Sequence, residues 1–218
     1  MRKLSKHNIK LSFSLLELIF SIILLTYLVT LFIPKDNTTK LNLAADKIVL
    51  YLKYTRYIAM IDDKYNINDP LWFRERYTLK FQNCSKKVGG LYFIVYSDTN
   101  HKGSPNKSEC LKDPITNKYL YSHYDCEASY DESKHILLTK EFNIVDVDIS
   151  CNETTTLGQV SFDKSGEVYS KLGTSENDIN KYKIKEKCNI RIYDINKNSI
   201  NITIEPETGY IEKRTINL

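Results

Sequence analysis

The run Phe13–Ile33, FSLLELIFSIILLTYLVTLFI, holds 21 residues and a single charge, Glu17. No other feature constrains the chain so tightly. At about 1.5 Å of rise per residue, a helix of this length covers about 31 Å, enough to cross the hydrocarbon core of a bilayer. Residues 1–12 carry Arg2, Lys3, Lys6 and Lys10 and no acid. Such a basic flank predicts a single membrane pass with the N-terminus in the cytoplasm. The run ends VTLFIPKDN, without the small-residue site that follows a cleaved secretory signal. A carboxylate within such a segment costs roughly 2–4 kcal/mol on insertion scales, so Glu17 requires a reason.

The stretch SFSLLELIF supplies one, because it resembles the cleavage and methylation signature of type IV prepilins and type II secretion pseudopilins. That signature joins a short basic leader to a small residue, Phe, apolar residues and Glu as fifth residue of the mature chain. Here Ser12 precedes the cut, Phe13 begins the mature chain and Glu17 is its fifth residue. Pro34 falls where the family commonly carries a proline. Ser12 stands where Gly is usual. The resemblance covers about the first 35 residues. It implies cleavage between Ser12 and Phe13 by a prepilin peptidase, N-methylation of Phe13, and assembly in which Glu17 meets a neighbour's Phe13 amine. It also implies a pseudopilin or minor pilin of a type II secretion or related competence (DNA uptake) system, single-pass in the inner membrane with its head in the periplasm. Its partners would be other pseudopilins or pilins, the prepilin peptidase and the inner-membrane assembly platform, with a membrane contact and no cofactor.

Leu41–Ile61 is amphipathic at helical period: Leu41, Ala45, Ile48, Leu52, Thr55 and Ala59 share one face, with Ala44 and Tyr51 alongside. Because a proline loosens a helix without always ending it, residues 13–62 are expected to form one long helix. The turn-rich Asp62–Pro70 follows, and the period then changes to two. Arg76–Asn83, Gly90–Asp98 and Lys140–Ser150 read as strands; Gly158–Ser170 reads as two short strands about an Asp-Lys-Ser-Gly turn. The last thirty residues give a hairpin about Asn196–Ser199, a Pro206–Gly209 turn and a final strand. The fold expected is therefore α+β: a basic leader over 1–12 and a long N-terminal membrane-spanning helix over 13–62, packed on an antiparallel β head over 63–218. Residues 99–135 are polar and Cys-containing and read as a long insertion. Patches such as LKYTRYIAMIDD, VSFDKSGEV and INITIEPETGYIE look similar to the minor pseudopilins of H type.

Cys84, Cys110, Cys126, Cys151 and Cys188 all follow the apolar run and are disulfide candidates; five is odd, so one thiol is left over. In DTNHKGSPNKSE, Asp98, Asn100, Gly103 and Glu109 half-match a calcium loop, but Lys102 occupies a ligand position, which favours a solvated turn. Cys110, His123, Cys126 and His135 match no common zinc spacing. His101 has no evident partner in the sequence. No coupled nucleophile and base is recognisable, so no enzyme activity is expected and a periplasmic hydrolase is the weaker alternative. Net charge is only +4. The Lys-rich stretches 102–118 and 181–191 nonetheless leave a DNA-binding receptor pilin at a filament tip as the rival reading.

Overall fold

The computed structural model describes residues 15–32 and 36–214. Ser12, Phe13 and Pro34, three of the residues carrying the prepilin resemblance, lie outside them. The chain divides into two units, Met1–Asp36 and Asn37–Leu218.

In the first unit, helix α1 runs Leu15–Phe32, 18 residues. Its side chains from Leu15 to Val29 are exposed, among them Leu15, Leu16 and Phe20. Two expectations are corrected here. No helix among the described residues is long and apolar enough to cross a membrane. At about 1.5 Å per residue α1 covers about 27 Å, short of the 30 Å or so of a hydrocarbon core. The membrane-spanning helix, and with it the single-pass inner-membrane placement, is therefore overturned. The long helix expected over 13–62 is likewise corrected to a short α1; α2 runs Asp36–Ile61, and residues 33–35 between the two lie outside the described residues.

The second unit is α+β with two antiparallel sheets. Helix α2 buries Leu41, Ala44, Ala45, Ile48, Tyr51, Leu52, Thr55 and Ala59, while Asp46, Lys53 and Tyr57 face outward. Each large apolar side chain so covered stabilises the fold by about 1.5–3 kcal/mol. The first sheet has the order β2-β1-β4-β5, from β1 (Tyr77–Asn83), β2 (Leu91–Tyr96), β4 (Gln159–Phe162) and β5 (Val168–Tyr169). Both β2 and β4 are buried at every position, so this sheet is covered on both faces. Tyr51 of α2 lies against Phe93 of β2, with ring centroids 5.6 Å apart. The second sheet has the order β3-β6-β7-β8, from β3 (Ile144–Ile149), β6 (Cys188–Asp194), β7 (Ser199–Ile204) and β8 (Ile211–Arg214). Here β6 alternates buried and open residues: Ile190 pairs with Ile202 and Ile192 with Ile200 on the covered face. One interior serves α2 and both sheets.

The strand expected over 140–150 starts only at Ile144. Leu138–Phe142 forms a short helix, α3, that buries Leu138 and Phe142. Asn143 closes it in the left-handed region, at φ 58°, a conformation that Asn tolerates better than most residues.

The long insertion is tied down by polar contacts to α2. Tyr51 Oη donates to Asp113 Oδ2 at 2.8 Å, and Ser133 Oγ donates to the same oxygen at 3.4 Å. Burial alone would raise the Asp113 carboxyl. Hydrogen bonds from Ile115 N–H, Tyr51 and Thr116 outweigh it and hold the group below the usual carboxylate range. The Tyr51 hydroxyl is pushed the other way, first by burial and then by Asp113.

Five residues further along α2, Arg56 Nε donates to Thr208 O at 2.7 Å. That carbonyl belongs to the turn between β7 and β8, where Gly209 has φ 60° and abuts the turn between β4 and β5. A Cβ at Gly209 would stand 2.6 Å from the Gly166 carbonyl oxygen, so backbone conformation and space both call for glycine there.

Candidate functional site

Three groups of sequence-predicted residues meet different fates. Glu17, the one acid of the apolar run, sits in the first turn of α1 and is exposed. The cysteines form Cys84–Cys126 and Cys151–Cys188. The first bridge joins the residue after β1 to the insertion, and the second joins the turn after β3 to the first residue of β6. Cys110 stays a buried thiol, raised above its ordinary value by burial and then by Glu109 and Glu132. Because Cys126 is consumed in a bridge, the Cys110, His123, Cys126 and His135 combination is dissolved as a ligand set. His135 Nδ1 instead lies 3.5 Å from Asp113 Oδ2.

The half-matched calcium loop is an internally satisfied turn. Glu109 Oε1 accepts from Thr99 Oγ1 at 3.0 Å and Asn100 N–H at 2.9 Å; Oε2 accepts from Asn100 Nδ2 at 2.6 Å and Asn106 N–H at 2.8 Å. Asp98 accepts from Gly103 N–H at 3.0 Å and is ion-paired with Arg74 Nη2 at 3.1 Å. A calcium ion needs those oxygens as ligands. Here N–H donors and a guanidinium hold them, and Asn100 spends its amide on Glu109.

The same loop brings together residues that the spacing could not reveal. His101 projects toward Asp69, in the connection after α2, and Glu75, in the 3-10 turn Trp72–Glu75. His101 Nε2 lies 3.6 Å from Asp69 Oδ2 and 3.4 Å from Glu75 Oε1. One ligand atom from each of the three residues falls within 4.8 Å of the others. Sequence reasoning left His101 alone because its neighbours come from a distant segment; the acids that flank the Asp62–Glu75 connection were the only available signal.

Beside this group, Arg76 is 4 % exposed and donates through Nη1 to Ile179 O at 2.7 Å. Its guanidinium lies over the Tyr169 ring, 3.7 Å from the centroid, and burial lowers its pKa. It lines a cavity of about 90 Å³ with Trp72, Tyr77 and Phe162. The charged residues at its mouth neutralise one another: Lys64 with Asp62 at 2.7 Å, and Lys164 with Asp63 at 2.7 Å. Tyr77 Oη also donates to Asp62.

Of the eight lysines in the stretches 102–118 and 181–191, four are ion-paired. Lys107 pairs with Asp131 at 2.7 Å and Glu132 at 2.9 Å; Lys181 pairs with Asp178 at 3.0 Å, Lys183 with Glu167 at 2.5 Å and Lys187 with Glu205 at 2.7 Å. A nucleic-acid phosphate would have to compete with a carboxylate at each. No family model, curated protein or solved structure matches the chain.

Proposed function

We propose that the chain is a pseudopilin or minor pilin, a subunit processed by a prepilin peptidase and assembled into a short helical filament. The filament serves protein export by a type II secretion system or DNA uptake by a related competence system. One observation supports the reading above the others: an apolar helix, α1, whose side chains from Leu15 to Val29 are exposed, stands in the same chain as an amphipathic helix, α2, that shares one interior with two antiparallel sheets. A surface of that composition marks an interaction site. Second copies and related subunits, each offering the same helix, are the partners that would cover it. In that bundle Glu17 sets the register, because its carboxylate compensates the methylated Phe13 amine of a neighbour.

The test is intact-mass and N-terminal analysis of the chain from cells with and without a working prepilin peptidase. The reading expects a mature chain beginning at Phe13, methylated, only where the peptidase works. A Glu17→Val chain should be cut normally and fail to enter filaments. Recovery of a chain that retains residues 1–12 beside an active peptidase overturns the reading, as does normal filament entry of Glu17→Val.

A further inference from the structure

We propose that Asp69, Glu75 and His101 form a binding site for one divalent transition-metal ion of the zinc class, which clips the connection after α2 to the loop after β2. The proposal is independent of any role in filaments.

The first argument is the state of the imidazole. His101 Nε2 is shielded from solvent and has no hydrogen-bond partner among the described residues, although two carboxylate oxygens stand at 3.4 and 3.6 Å. If Nε2 carries a proton, a buried donor is aimed between two acceptors and satisfies neither, which costs about 1–3 kcal/mol. If it carries a lone pair, that lone pair faces two anions. A cation between the three atoms resolves both cases.

Spacing is the second argument. Zinc binds imidazole nitrogen and carboxylate oxygen at about 2.0–2.2 Å, and tetrahedral geometry then separates two ligand atoms by about 3.4 Å. The observed nitrogen-to-oxygen distances of 3.4 and 3.6 Å are too long for good hydrogen bonds and are those of ligands around a common centre.

Charge and support complete the case. Among the described residues neither Asp69 nor Glu75 has a lysine or arginine ion-pair partner, and the nearby Arg74 is committed to Asp98. With neutral His101 the group carries two negative charges, which one divalent ion neutralises. The ligands are also held in place. Asp69 Oδ1 accepts from Leu71 N–H at 2.9 Å, which leaves Oδ2 for the metal. The Glu75 carbonyl accepts from Ser97 Oγ at 2.6 Å, and His101 N–H donates to Asp98 O at 3.2 Å. Such outer contacts orient ligands. One imidazole and two carboxylates suit zinc, cobalt or manganese, whereas calcium takes oxygen ligands. Three protein ligands leave a fourth position for water.

The experiment uses the untagged full chain, stripped with a chelator and titrated with Zn²⁺ by calorimetry and with Co²⁺ by visible absorption. One equivalent of Zn²⁺ should bind, raise the melting temperature and protect His101 from diethylpyrocarbonate, and Co²⁺ should give a tetrahedral spectrum. His101→Gln and Glu75→Gln should each weaken Zn²⁺ binding by about tenfold or more; the control Asp146→Asn should not. If a variant does not fold, the cobalt spectrum and His101 protection of the unmodified chain decide. Absence of saturable Zn²⁺ binding, binding unchanged in both glutamine variants, or unchanged reactivity of His101 each overturns the site.

Discussion

The helices α1 and α2 use similar amounts of apolar side chain to opposite ends. In α2 one apolar stripe is buried, with Ala44, Ala45, Ile48, Tyr51 and Leu52 wholly covered, while Leu43, Tyr57, Met60 and Ile61 lie exposed off it. In α1 apolar residues run all round the helix, and Leu15 and Leu16 are 78 % exposed. Stripe width tells the two apart. A narrow stripe matches one partner surface, which the head of the same chain provides. A helix apolar on every side needs cover on every side, and a single neighbour cannot supply it. The contrast teaches that α2 is part of the head's interior, while α1 presents its apolar side chains at the surface.

The sharpest way to break that contrast is a charge in each helix. Ile48→Asp places a carboxylate in the interior beneath α2 and should cost about 3–5 kcal/mol, removing most of the cooperative urea transition. Ile23→Asp, at a position 59 % exposed, should leave the urea midpoint of the head within about 0.5 kcal/mol. Equal losses would mean that α1 is as much a part of the fold as α2.

Next in size is the covalent tie. Cys151→Ser opens a loop with a sequence separation of 37, and should cost about 2–4 kcal/mol in urea unfolding. An unchanged midpoint would show that the strand pairing of β3 with β6 suffices alone. Smaller again is Tyr51→Phe, which keeps the ring against Phe93 and removes the hydroxyl from Asp113. About 1–2 kcal/mol should be lost at neutral pH, with α2 still packed by near-ultraviolet dichroism.

The smallest effect is in the acid limb. Asp113 titrates below its unfolded value of about 3.9, so its contribution is complete above that pH and is lost as the pH falls through the lower, folded value. Midpoints measured from pH 5 down to pH 2 should fall for the native chain. They should fall less steeply for Tyr51→Phe, because one of the bonds holding Asp113 ionised is gone.

Where neighbours in sequence become neighbours in space, the chain was readable. The i, i+3, i+4 pattern of Leu41–Ala59 marks the face that is buried. The alternation in CNIRIYD and SINITI marks β6 and β7, and the Pro206–Gly209 turn leads into β8. What was not readable depends on distant segments. The short α3 hides in an alternating stretch because Leu138 and Phe142 find cover that local pattern does not record. The pairing of cysteines and the meeting of His101 with Asp69 and Glu75 are products of tertiary packing, invisible to spacing rules. The calcium-like spacing fails for the converse reason: motif residues closed hydrogen bonds with one another and with Arg74. The membrane-spanning expectation counted apolar residues across Phe13–Ile33, and α1 is shorter than that count.

The order of the cysteines along the chain has a consequence for oxidation. The bridge from Cys84 to Cys126 is closed within one stretch, and that from Cys151 to Cys188 within the next; the two covalent loops neither cross nor nest. A chain emerging from its N-terminal end can therefore complete the first crosslink before the cysteines of the second are available. Cys110, inside the first loop, is the one sulfur able to intercept that step. Once the interior closes around it, it is withdrawn from exchange.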